Sequence, residues 1–141
     1  MLIVLYLLLG VAIALIFFLL FKVVREDYVS YQDPHIEKLR QRLLPVFPEL
    51  RTVDVFASNK SFTIDKKEIY ICMKDEHGSY YDDNMLIYVI IHELAHSIQK
   101  EVDTEHSQKF KDIFFPLLDR AERAGLYNSK LPVVQNYCNY A

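Results

Sequence analysis

The chain of 141 residues carries 16 Lys and Arg against 19 Asp and Glu, a net charge of −3, with two cysteines and three glycines. That length fits one domain, and basic residues so scattered form no footprint for nucleic acid. Two cysteines outside any C-x-x-C spacing do not make a disulfide framework, and so few glycines argue against a low-complexity chain.

Leu2 to Phe21 is an unbroken apolar run that includes Tyr6 and Gly10. As a helix, a run of about 20 residues spans roughly 30 Å, the hydrocarbon thickness of a bilayer. No basic side chain precedes it and no small-residue cleavage site follows, which favours an uncleaved anchor over a secretory signal. Lys22 and Arg25 come just after it, so the positive-inside rule places the remainder in the cytoplasm. The expected division is a transmembrane anchor over 1–24 and a folded domain over 25–141, long enough to bury a core of its own.

Tyr28 to Gln32 reads as a juxtamembrane linker. Asp33-Pro34 then opens a helix, with Asp as N-cap and Pro in the first turn; Ile36, Leu39, Leu43 and Leu44 form its apolar face, and Pro45 and Pro48 end it. Thr52 to Phe56 suits a strand. Phe62 and Ile64 alternate with polar neighbours, Asp65 to Glu68 turns the chain, and Ile69, Ile71 and Met73 alternate again, the pattern of a β-hairpin. Cys72 fits a small buried residue on that strand. Asp75 to Ser79 is a loop, and its His77, like His35 in the earlier helix, reads as a solvated histidine.

The next segment carries the chemistry. Met85, Leu86, Ile87, Val89, Ile90, Ile91, Leu94, Ala95 and Ile98 are apolar nearly all round, as in a buried helix, with Asp82 or Asp83 as N-cap. Within it lies His92-Glu93-Leu94-Ala95-His96, an H-E-x-x-H. Histidines four apart stack on one helix face and can bind one Zn²⁺, with Glu93 as general base. The alternative is a buried helix with incidental histidines, but burying polar groups without partners costs about 1–3 kcal/mol each.

Zinc needs a third protein ligand. His106, ten residues beyond His96, is the leading candidate; Asp103 or Thr104 would cap the next helix and place His106 in its first turn. Glu101, Asp103, Glu105, Asp119 and Glu122 are rivals for that role. Beyond it, Phe110, Ile113, Phe114, Leu117, Leu118, Ala121 and Ala124 mark one face of a long helix. Pro116 should bend that helix, and Gly125 suits the residue past its end. Leu131 to Ala141 is an irregular tail. There Cys138 can be buried, pair with Cys72 in an oxidising compartment, or lie near the site; Tyr127 and Tyr137 are weak candidates for a hydroxyl donor.

HELAHS followed by EHSQKF and a Phe- and Leu-rich helix resembles the WLM and SprT-like zincins. Their HExxH, spacer, third His and aromatic four residues later correspond to His92, Glu93, His96, His106 and Phe110. The resemblance extends from about Thr63 to Cys138. Through Ile69-Tyr70-Ile71-Cys72, Tyr80-Tyr81-Asp82, Gly125-Leu126-Tyr127 and Asn136-Tyr137-Cys138 the chain is similar to small WLM-like proteins of large DNA viruses. Glu105 departs from the glycine common before the third His. The resemblance implies a peptide or protein substrate held as an added strand along a sheet edge.

The expectation is therefore an α+β chain: a minimal zincin domain, with a small β-sheet, the HExxH helix and a following long helix, behind a transmembrane helix. Its expected function is zinc-dependent peptide hydrolysis, with Glu93 catalytic and His92, His96 and His106 as metal ligands. A membrane-tethered, zinc-stabilised binding module without turnover is one alternative. A DNA–protein crosslink protease is another, disfavoured by the anchor and the acidic balance, since no nucleic-acid partner is expected.

Overall fold

The structure, a computed structural model, describes residues 1–25, 30–100 and 106–138. The first element, α1 (Leu2–Arg25), is the apolar run in helical form. Its side chains from Met1 to Lys22 are exposed, and none of the span Leu2–Lys22 is buried against the domain. This is one N-terminal helix long and apolar enough to cross a membrane, and it contributes nothing to the hydrophobic core.

Four strands form one mixed sheet in the order β1-β2-β4-β3. The strands are β1 (Ser30–Tyr31), β2 (Asp54–Ser58), β3 (Phe62–Ile64) and β4 (Glu68–Cys72). β3 and β4 make the expected hairpin, with Phe62 opposite Tyr70 and Ile64 opposite Glu68. Asp65 and Lys66 take positive φ values of 47° and 59° in its turn, a left-handed pair of the kind tight hairpins need. β2 runs parallel to β4, so β3 occupies the sheet's outer edge. Alternation divides the faces: Ala57, Ile69 and Ile71 are buried in the core, whereas Phe56, Tyr70 and Phe62 form a cross-strand aromatic row on the other face, with ring centroids 5.2 and 4.6 Å apart.

The helices cover the first face. α2 (Pro34–Leu43) begins as expected, the Asp33 side chain accepting the amide of His35, and buries Ile36, Leu39 and Leu43. α3 (Asp83–Ile98) is capped by Asp82, whose carboxylate accepts the Met85 amide. Its Leu86, Ile87, Ile90 and Ile91 are almost wholly buried. α4 (Gln108–Arg123) lays Phe110, Phe114, Leu117 and Ala121 into the same core and runs on through Pro116. It ends in a Schellman motif: the Gly125 amide donates to Glu122 and the Leu126 amide to Ala121, with Gly125 at φ 73°, where a side chain is disfavoured.

Three expectations need amendment, and one open alternative is decided. The linker shortens, because Ser30 and Tyr31 pair with Ser58 and Ala57; residues 26–29 lie outside the described part. The strand expected at Thr52 starts at Asp54, since Pro48–Thr52 forms a 3₁₀ turn. The cap of α4 is Ser107, which accepts the Phe110 amide, so His106 precedes the helix rather than lying in its first turn; Asp103 and Thr104 are outside the described residues. Finally, Cys72 and Cys138 form a disulfide with Cα atoms 6.3 Å apart.

Candidate metal centre

Helical periodicity puts His92 and His96 on one face of α3, with ring centroids 4.9 Å apart. Ser107 turns the chain into α4 beside that face and brings His106 over both. One ring nitrogen from each of His92, His96 and His106 lies within 4.8 Å of the others. His92 Nε2 and His106 Nε2 are 2.9 Å apart. Nitrogens bound to one tetrahedral zinc at about 2.0–2.1 Å would stand about 3.3 Å apart, a few tenths of an ångström from the His92–His106 separation. Three imidazoles are also the borderline donors zinc accepts.

Phe110 lies against all three imidazoles, with centroids 5.1 Å from His92, 4.3 Å from His96 and 4.7 Å from His106. Being buried, it orients the rings and lowers the dielectric around them, which strengthens charge interactions at the site. Phe114 adds an edge contact to His92 at 5.4 Å.

Glu93 is buried between α3 and the sheet edge. Its Oε1 is 3.2 Å from His92 Nδ1, and its Oε2 accepts the Thr63 hydroxyl at 2.8 Å. The same hydroxyl is 3.1 Å from the Glu93 carbonyl oxygen. The carboxylate therefore buttresses the ring nitrogen of His92 that faces away from the cluster, an arrangement that fixes a metal ligand's tautomer.

The other described candidates are engaged elsewhere. Asp119 pairs with Arg123 at 2.7 Å. The Ser129 hydroxyl and amide donate to Glu122 and hold its carboxyl below the usual range. Glu101, Asp103 and Glu105 lie outside the described residues. His35 bonds Asp83 at 2.8 Å, and His77 is exposed in its loop beside Glu76. Tyr127 packs on Tyr88, its hydroxyl's pKa raised first by burial, while the Tyr137 hydroxyl reaches the Cys72 carbonyl and Ser61. Sequence reasoning missed Thr63 as a partner of Glu93. Its signal was alternation: with Phe62 and Ile64 on the outer face, the Thr between them must face α3.

No family model matches the chain, and no solved structure matches it. Its curated relatives are uncharacterized viral proteins. One from Invertebrate iridescent virus 6 is 50% identical over 56% of this chain and 45% of its own length. One from Invertebrate iridescent virus 3 is 37% identical over 68% of this chain and 58% of its own. A third, from Acanthamoeba polyphaga mimivirus, is 37% identical over 67% and 48% respectively. The chain thus spans about half the length of the relatives it matches.

Proposed function

We propose that the protein is a membrane-anchored, zinc-dependent peptidase similar to the WLM and SprT-like zincins. The observation that carries this reading is the convergence of His92, His96 and His106, from two separate segments, beside the buried carboxylate of Glu93. His92, His96 and His106 would hold the zinc. When bound, the ion supplies a Lewis acid that acidifies water and polarises a peptide carbonyl. Glu93 takes the proton of the attacking water and delivers it to the departing amine. The outer strand β3 carries Thr63, the partner of Glu93, and an extended peptide adding to that edge would lie beside the catalytic carboxylate.

The non-catalytic alternative, a zinc-stabilised binding module, needs a site closed by four protein ligands. Among the described residues the cluster has three members, and Glu93 separates the two readings, because a purely structural site has no use for it. The crosslink-protease alternative demands DNA dependence, and a net charge of −3 gives it no support.

The deciding experiment is cleavage of an unstructured protein by wild type and Glu93→Gln, with and without DNA. The Gln amide is nearly the size of the Glu93 carboxylate and can still hydrogen-bond a water, but it cannot take the proton. The expected result is a loss of at least about 100-fold in the variant, with zinc content retained and no effect of DNA. Equal cleavage by both proteins removes Glu93 from the mechanism, and absence of cleavage by either favours the binding module.

A further inference from the structure

We propose that the domain stands on the oxidising, lumenal face of the membrane and that Asn59 is an N-glycan acceptor there. The first observation is the Cys72–Cys138 disulfide, which uses both cysteines of the chain. It joins the end of β4 to the C-terminal tail, and its surroundings are built around it. The Tyr137 hydroxyl donates to the Cys72 carbonyl, the Cys138 amide donates to Tyr81, and the Cys72 amide donates to Ser61. Disulfides of this structural kind form and persist in secretory and extracellular compartments, whereas cytosolic thiols are kept reduced.

The second observation is an acceptor sequence in the turn beside the disulfide. Asn59-Lys60-Ser61 is an N-x-S acceptor sequence. It lies on the turn between β2 and β3, with Asn59 and Lys60 exposed, the surface-loop placement a glycan requires. A tripeptide of this kind arises by chance in many chains, so it gains weight only from the disulfide beside it: Ser61, its third residue, is the residue that accepts the Cys72 amide. Against both stands the charge rule, which here rests on Lys22 and Arg25 alone, followed at once by Glu26 and Asp27. A bias of two charges is a weak determinant of orientation, and the disulfide, with Cys72 buried in the core, outweighs it.

The chemistry is balanced by reagents that compartment supplies. The Asn59 amide nitrogen attacks the anomeric carbon of an oligosaccharide carried on a lipid diphosphate. The new N–C bond replaces the C–O bond, the lipid diphosphate leaves with the electron pair, and the amide proton passes to the transferase's base. Cys72 and Cys138 are oxidised by thiol–disulfide exchange with a disulfide-bearing oxidoreductase, which departs as the dithiol. Asn59 enters the compartment well before Cys138, so it is available before the tail closes over Ser61.

The test is expression of the full chain in eukaryotic cells, with three readouts on sealed membranes. The expected results are a mobility shift removed by a peptide-N-glycosidase and absent in Asn59→Gln, protection of the domain from added protease, and thiols that alkylate only after reduction. Lys130→Thr, which completes a second N-x-T acceptor sequence starting at Asn128 on an exposed loop, should add a second shift. A domain that is digested from outside, unglycosylated in both forms and freely alkylated overturns the proposal. A protected, oxidised domain glycosylated only through Lys130→Thr removes Asn59 as the acceptor. These readouts do not depend on peptidase activity.

Discussion

Among individual residues, two kinds of contact define the site: nitrogens that converge and groups that hold them in place. His96→Ala should abolish the binding of about one zinc per chain, measured by metal analysis of the purified domain. His106→Ala should cause a large loss of affinity with folding retained, because His106 is exposed and leaves no cavity in the core. Unchanged zinc in the His106 variant would move the third ligand to another residue. Thr63 is a positioning residue in this scheme. Thr63→Val keeps the shape but removes the hydroxyl 2.8 Å from Glu93. It should lower kcat by about 10-fold with KM and zinc content retained, and Thr63→Ser should restore it. Equal rates in the Val and Ser variants would mean that the hydroxyl plays no part. The motif itself was plain in the sequence because a four-residue spacing fixes a helix face without tertiary information. The Thr63 contact was not, since 30 residues separate it from Glu93 and only the packing of β3 on α3 joins them.

For the elements, the site depends on where α4 begins. Ser107 caps it through the Phe110 amide, and His106 and Phe110 flank that cap. Ser107→Ala should cost about 1 kcal/mol, read as a fall of roughly 4 °C in Tm for a domain of this size. It should also weaken zinc binding, because the segment that presents His106 loses its fixed turn. An unchanged affinity would show that the Phe110 contacts alone hold His106. The sequence placed this cap too early, at Asp103 or Thr104, because several good capping residues precede the apolar stripe and nothing local ranks them. The caps at Asp33 and Asp82 were legible, since each stands directly before its apolar pattern with one strong candidate or an adjacent pair.

As a whole molecule, the chain divides into an apolar N-terminal helix and a domain with its own core. α1 has no buried residue within the span Leu2–Lys22, while the hydrophobic core draws on α2, the sheet, α3 and α4. Removing residues 1–25 should therefore yield a soluble domain with the same circular dichroism and thermal transition as the detergent-solubilised full chain; an unfolded product would make α1 part of the folding unit.

The sequence by itself determined what local periodicity can encode. It held the apolar span, the helix around His92 and His96, the β3–β4 hairpin, the long helix after His106 and the α+β class, because each follows from side chains a few positions apart. Tertiary structure decided what depends on distant segments meeting. It drew Ser30 and Tyr31 into the sheet, set β2 parallel to β4 with β3 at the edge, brought His106 onto His92 and His96, and joined Cys138 to Cys72 across 66 residues. Those outcomes follow from which surfaces bury one another, and no spacing along the chain specifies that.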